Sequence, residues 1–204
     1  MDSLNFKPLD KRERKEILEY IRSRIDEADP EKLRRAMLSM GWVEGVDELI
    51  EPLVILVTEG RPEVALAALS GLSQLESKYS EKPVARHIVN LFKKRDAAYS
   101  EVLLECIRVL GKVGTRRSVN FLAEIIRNPA PASEKDKEAA VEALISLAER
   151  RVRGITETLE ELYSTAHGIV KEIITYALKE LNSQRWEEQG YLTIEADFEN
   201  EDNP

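Results

Sequence analysis

The sequence predicts an all-α fold, a right-handed α-solenoid (superhelix) of about four to five helical hairpins behind an N-terminal capping helix. Three observations carry that expectation. Apolar residues recur at three- and four-residue steps along most of the chain, which is the stripe of an amphipathic helix rather than the alternation of a strand. A helix-start signature recurs as Asp29-Pro30-Glu31-Lys32, Arg61-Pro62-Glu63-Val64, Tyr99-Ser100-Glu101-Val102 and Asp136-Lys137-Glu138-Ala139. Nine residues after each glutamate stands Met40, Leu72, Leu110 or Leu147, at spacings of 32, 38 and 37 residues, and periods in this range mark stacked helical repeats. Finally, aromatics make up only 6% of the chain and charged residues 33%, with few glycines inside the periodic stretches, a composition of helix formers.

The chain divides into three regions: a lead and capping helix over 1–28, a repeat array over 29–182 and an acidic tail over 183–204. In the lead, Leu4, Phe6 and Leu9 can pack on the first repeat. Asp10 to Ala28 carries Ile17, Ile21 and Ile25 on one face and charges elsewhere, which suits a cap covering one end of an array. The first repeat spans Asp29 to Glu59, and Pro52 inside its second helix should bend that helix or delay its regular part. The second spans Arg61 to Arg95, with Ser80 as a cap and Pro83 in the first turn. In the third, Tyr99 to Asn128, the stripe Val102, Cys106, Val109, Leu110 is interrupted at Gly111 to Thr115. Glycine can there take left-handed angles and threonine can cap the next helix. The second stripe, Val119, Leu122, Ile125, Ile126, ends before Pro129. The fourth repeat covers about Ser133 to Ser164, and a weaker fifth copy, His167 to Leu181, closes the array with Leu178 in the leucine position.

The recurring glutamate falls in a first helical turn, where a negative charge offsets the helix dipole by roughly 0.3–1 kcal/mol. Four residues before each large residue sits a small one, Ala36, Ala68, Cys106 or Ala143, which lets two helices approach closely.

On these residues the chain resembles the HEAT-like repeats of the phycobilisome-lyase type, whose pattern runs proline, glutamate, valine, two arginines, then alanine, leucine and glycine at set intervals. Pro30-Glu31-Lys32-Leu33-Arg34-Arg35-Ala36 to Met40-Gly41 and Ser100-Glu101-Val102 to Leu110-Gly111 carry it best, and the likeness covers roughly residues 29 to 181. It implies an armadillo-type superhelix. The family mixes passive scaffolds with a few enzymes, so the resemblance implies a non-catalytic protein-binding scaffold and, as the alternative, a bilin lyase-like or alkylpurine DNA glycosylase-like enzyme.

Several chemistries find no support. The one cysteine, Cys106, sits in the small slot of its repeat, so neither a disulfide framework nor a cysteine-rich zinc site is expected. The two histidines, His87 and His167, stand far apart without a ligand motif; His87 reads as a surface or partly packed residue and His167 as a capping or loop residue. No nucleophile elbow, Walker loop or dinucleotide fingerprint is present, so neither catalytic residue nor metal nor cofactor is assigned. No apolar run approaches the length needed to span a bilayer and the N-terminus lacks a signal-peptide pattern; a soluble cytoplasmic protein is the expectation.

What remains is binding. Basic clusters occur at Lys93-Lys94-Arg95, Arg116-Arg117 and Arg150-Arg151-Arg153. Cations suit helix C-termini, whereas Arg116 and Arg117 fall in a first turn, where they oppose the dipole, and so are the basic residues expected to contact an acidic group. If second helices line the concave side, Arg86, Asn90, Arg116, Arg117, Asn120, Glu124 and Glu157 form its surface. Their mix of charges and amides suits a protein or peptide partner, acidic in part. A net charge of −8 and a pI of about 5.1 disfavour nucleic acid, and Trp42 and Trp186 lie in a repeat turn and the tail rather than a base-binding groove. In the tail, Trp186, Tyr191, Leu192 and Phe198 stand among seven carboxylates. They are candidate anchors for docking on the chain's own array, on a second copy or on a partner.

Overall fold

The computed structural model describes residues 11–38, 47–128 and 130–182, and among them every regular element is a helix. The α-helices are α1 Lys11–Glu27, α2 Pro30–Leu38, α3 Ile50–Glu59, α4 Pro62–Leu75, α5 Glu81–Lys94, α6 Ser100–Val113, α7 Arg116–Arg127, α8 Glu134–Glu149 and α9 Ile155–Thr165. A further helix, α10, covers 168–182. Leu4, Phe6, Leu9, Met40, Trp42 and the tail anchors Trp186, Tyr191, Leu192 and Phe198 lie outside the described residues. None of the described helices is long and apolar enough to cross a membrane.

Local chemistry sets most boundaries. Asp29 accepts from the N–H groups of Glu31 (3.1 Å) and Lys32 (2.9 Å) and so caps α2, with Pro30 at its first position, where no amide is required. Thr115 caps α7 through the Arg117 N–H at 3.3 Å. Helix α8 begins before the Asp136 signature, because Ser133 and Asp136 form a reciprocal capping box. Pro52 sits in the first turn of α3, behind a 3-10 turn over Asp47–Leu49, so it delays the regular helix rather than bending it. Ser80 departs from expectation. Its side chain caps nothing; the hydroxyl donates to the Ser77 carbonyl at 2.6 Å within the 3-10 turn Lys78–Ser80.

The helices pack in two layers. The first helices α2, α4, α6 and α8 lie side by side, and the second helices α3, α5, α7 and α9 form a layer whose members touch one another more lightly. Helices α3, α5 and α7 each rest mainly on the first helix of the following pair, α3 on α4, α5 on α6 and α7 on α8. The register explains how the first layer closes. Ala36, Ala68, Cys106 and Ala143 are all buried, as are Leu72, Leu110 and Leu147. Burial pushes the Cys106 thiol far above its ordinary range, with Glu105 adding to the effect, so it is held neutral as a small core residue. At one end α1 packs on α2 and α3, burying Ile21 and Ile25. Its outer face carries exposed pairs such as Arg12–Glu16 and Lys15–Glu19, each worth roughly 0–1 kcal/mol. At the other end α10 lays Val170, Ile174 and Ala177 into the core, with Leu178 half-buried.

The α6–α7 connection is shorter than the sequence suggests. Helix α6 runs through Gly111 to Val113, and Gly114 is extended (φ −68°, ψ 160°) rather than left-handed. Gly111 serves a different purpose: a Cβ there would stand 2.9 Å from Ala143 Cα, so its absence lets α6 and α8 touch backbone to backbone.

Candidate functional site

Each second helix buries one stripe and turns the positions between outward. On α5 the buried stripe is Val84, His87, Ile88 and Leu91, leaving Arg86 and Asn90 exposed. On α7 it is Ser118, Val119, Leu122, Ala123, Ile125 and Ile126, leaving Arg116, Arg117, Asn120 and Glu124 exposed. Glu157 is exposed in the first turn of α9. All of the surface positions picked out from sequence are thus solvent-facing, on neighbouring helices of one layer. The face changes sign along the layer. Lys82, Arg86 and Lys93 on α5 and Arg116 and Arg117 on α7 are basic, whereas α9 presents Glu157, Glu160 and Glu161. Arg127 bridges the change, pairing with Glu124 at 3.1 Å and Glu161 at 2.9 Å.

A concavity lies toward the C-terminal ends of α5 and α7. It is a groove of about 500 Å³ floored by Val89, Phe92, Phe121, Ile125, Pro131 and Ala132 and rimmed by Lys93, Arg95, Glu124 and Asn128. A smaller recess of about 370 Å³ lies beyond Phe92 and Pro131, reaching Tyr99, Leu103 and Asp136. Of the residues picked out from sequence, only Glu124 belongs to the larger groove. Phe92 reads from sequence as part of the buried stripe with Val84, Ile88 and Leu91 but is only partly buried, and Val89 and Phe121 sit beside core positions rather than on the stripe itself. The signal was present: large apolar side chains one step off the buried stripe of two adjacent second helices.

The opposite end of α7 is built around Glu81. This first-turn residue of α5 accepts from the Thr115 N–H (3.0 Å), the Thr115 hydroxyl (2.9 Å) and the Ser118 hydroxyl (2.7 Å). Burial opposes its charge, but the hydrogen bonds from Thr115 and Ser118 outweigh burial and hold its carboxyl below the usual range. The carboxylate therefore sits at the N-terminus of α7, supplying the negative charge that end favours. The α7 N-terminus thus receives its negative charge from within the fold, so the place of Arg116 and Arg117 in a first turn does not by itself require an external anion, although Glu81 pairs with neither arginine.

His87, which reads from sequence as a surface or partly packed residue, is buried, with Nε2 lacking a hydrogen-bond partner among the described residues. Burial lowers its pKa, and Lys94 adds to the effect. The neutral form is the one folded, so stability is complete above the unfolded pKa near 6.5 and declines as pH falls below it. Denaturant midpoints measured from pH 7 to 5 should fall for the wild type and stay flatter for His87→Leu; parallel curves would show that His87 is not the group responsible.

His167 is exposed in the short link before α10. Among the described residues no group of three or more His, Cys, Asp or Glu could hold a metal ion. No protein-family model matches the chain, and no curated protein matches it closely.

Proposed function

We propose that this chain is a non-catalytic interaction scaffold, a HEAT-like α-solenoid that holds a protein or peptide partner on its second-helix face. The observation that carries this reading is the packing order. Helices α3, α5 and α7 are each seated on the next pair's first helix and α9 lies beside α7, so the outward positions of α5, α7 and α9 succeed one another as a row. Stacked helical repeats use such rows for extended contact.

The chemistry of the row supports the partner class. Lys93, Arg95, Glu124 and Asn128 rim an apolar floor with Phe92 and Phe121, and arginine and aromatic side chains dominate the energetics of protein–protein contacts. The overall charge of −8 works against binding along a phosphate backbone.

A photo-reactive amino acid at Asn90 or Asn120, introduced into the protein in its native cells, should capture one discrete protein adduct. The same group at Glu101 or Lys135, exposed on the first-helix layer, should capture none. Adducts from Glu101 and Lys135 but not from Asn90 and Asn120 would overturn the reading.

A further inference from the structure

Two basic clusters that are distant in sequence meet at one end of the fold. The α6–α7 turn, Gly114 and Thr115, lies against the α8–α9 turn over 150–154, where the Arg150 Nη1 donates to the Gly114 carbonyl at 3.3 Å. The Arg116 guanidinium covers Gly154, lying 3.7 Å from where a Cβ would stand. Arg116, Arg117, Arg150, Arg151 and Arg153 are therefore gathered on one exposed surface. The half-buried Glu81 carboxylate beside the α6–α7 turn is already occupied by Thr115 and Ser118. Arg116, Arg117, Arg150 and Arg153 have no carboxylate within ion-pair distance among the described residues. Like charges so close repel, and an anion laid across them is favoured.

The course of α10 indicates where such an anion comes from. Its first residues share a recess with Ile126 and Arg127 at the end of α7 and Glu134 and Lys137 at the start of α8. Lys171 Nζ stacks 4.5 Å from the Tyr163 ring of α9. From there α10 lies along the core through Val170, Ile174 and Ala177, with Leu178 and Leu181 packed on it. At 1.5 Å per residue, 168–182 covers roughly 22 Å, close to the length of α8, which has 16 residues. Residue 182 therefore emerges at the arginine end. The next stretch of chain, 183–204, holds Glu187, Glu188, Glu195, Asp197, Glu199, Glu201 and Asp202 against one basic residue, Arg185. Glu187 needs only five residues of chain, up to roughly 17 Å when extended, to cross to an adjacent helix pair about 8–10 Å away.

We propose that this arginine surface is the docking site of the chain's own acidic segment, 183–204, in cis. Glu187 and Glu188 meet the α8–α9 turn, and the later carboxylates reach Arg116 and Arg117. The docking shares Arg116 and Arg117 with one end of the second-helix face, whereas the Phe92–Phe121 groove lies toward the opposite end of α7 and Arg150 and Arg153 lie on the α8–α9 turn, so the cross-link reports on the docking and not on what the groove binds.

Zero-length cross-linking tests it on the full chain. Arg116→Lys and Arg153→Lys keep the charge and add an amine that a carbodiimide can join to a carboxylate; circular dichroism checks that the fold is retained. Peptide mapping should find both new amines joined to carboxylates within 183–204 of the same molecule. The yield should fall about tenfold or more in 1 M salt, where the screening length drops to about 3 Å. Dimeric products in place of monomeric ones, or equal yields from Lys93 and Lys94 at the opposite end of α5, would overturn the proposal. So would the absence of any link from positions 116 and 153.

Discussion

Gly111→Leu is expected to destabilise the protein by about 1–3 kcal/mol or more, read as a fall in the denaturant midpoint at unchanged slope. The reason is the α6–α8 contact, where an added Cβ would meet Ala143 Cα at 2.9 Å and the Ala143 carbonyl oxygen at 3.1 Å. Those are backbone atoms, so no rotamer change relieves the clash and the two helices must separate. The smaller change Gly111→Ala makes the same point from the other direction. In an open helix it would stabilise by about 0.8–1 kcal/mol, and here that gain should be absent or reversed. Adding Ala143→Gly should restore little, because the Ala143 Cβ, at 3.2 Å, is not the closest atom. Full rescue by that second change would show that the helices are kept apart by side chains instead.

Leu110→Ala should cost about 2–5 kcal/mol, the range for a fully buried leucine whose cavity cannot collapse. Leu110 recurs in register with Leu72 and Leu147, all wholly buried, so each fills the turn after a small residue on the same helix face. Leu38→Ala provides the contrast: its side chain is 69% exposed, and its loss should stay within about 0.5 kcal/mol. Similar costs for the two would contradict the assignment of the first-helix layer. Thermal unfolding of both variants decides it.

Much of the helix content was legible because its signals are local. The apolar stripes of α5, α6 and α7 announce themselves at three- and four-residue steps, and Asp29 and Thr115 cap the helices that come after them. Departures arise where another group intervenes. Gly111 looks like a helix breaker until Ala143 is set beside it, and His87 looks superficial until the neighbouring helices close over it. Ser80 looks like a cap, but its hydroxyl finds the Ser77 carbonyl first.

The candidate surface divides in the same way. Arg86, Asn90, Arg116, Arg117, Asn120 and Glu124 could be placed on solvent-facing sides from the stripe alone, since the exposed positions of an amphipathic helix are the complement of its buried ones. The Phe92–Phe121 groove could not, because it exists only where two helices and the 130–132 loop converge. Nor could the joining of Arg116 and Arg117 to Arg150 and Arg153, which depends on one turn resting on another. By itself the sequence determined most of the helices and which face of each is greasy, because periodicity and capping act within a few residues; that α3, α5 and α7 rest mainly on the following first helix rather than on their own partners was decided by packing. Only the tertiary structure decided which helix ends meet and which charges are already answered, because those depend on contacts between residues more than thirty positions apart, such as Glu81 with Thr115 and Ser118.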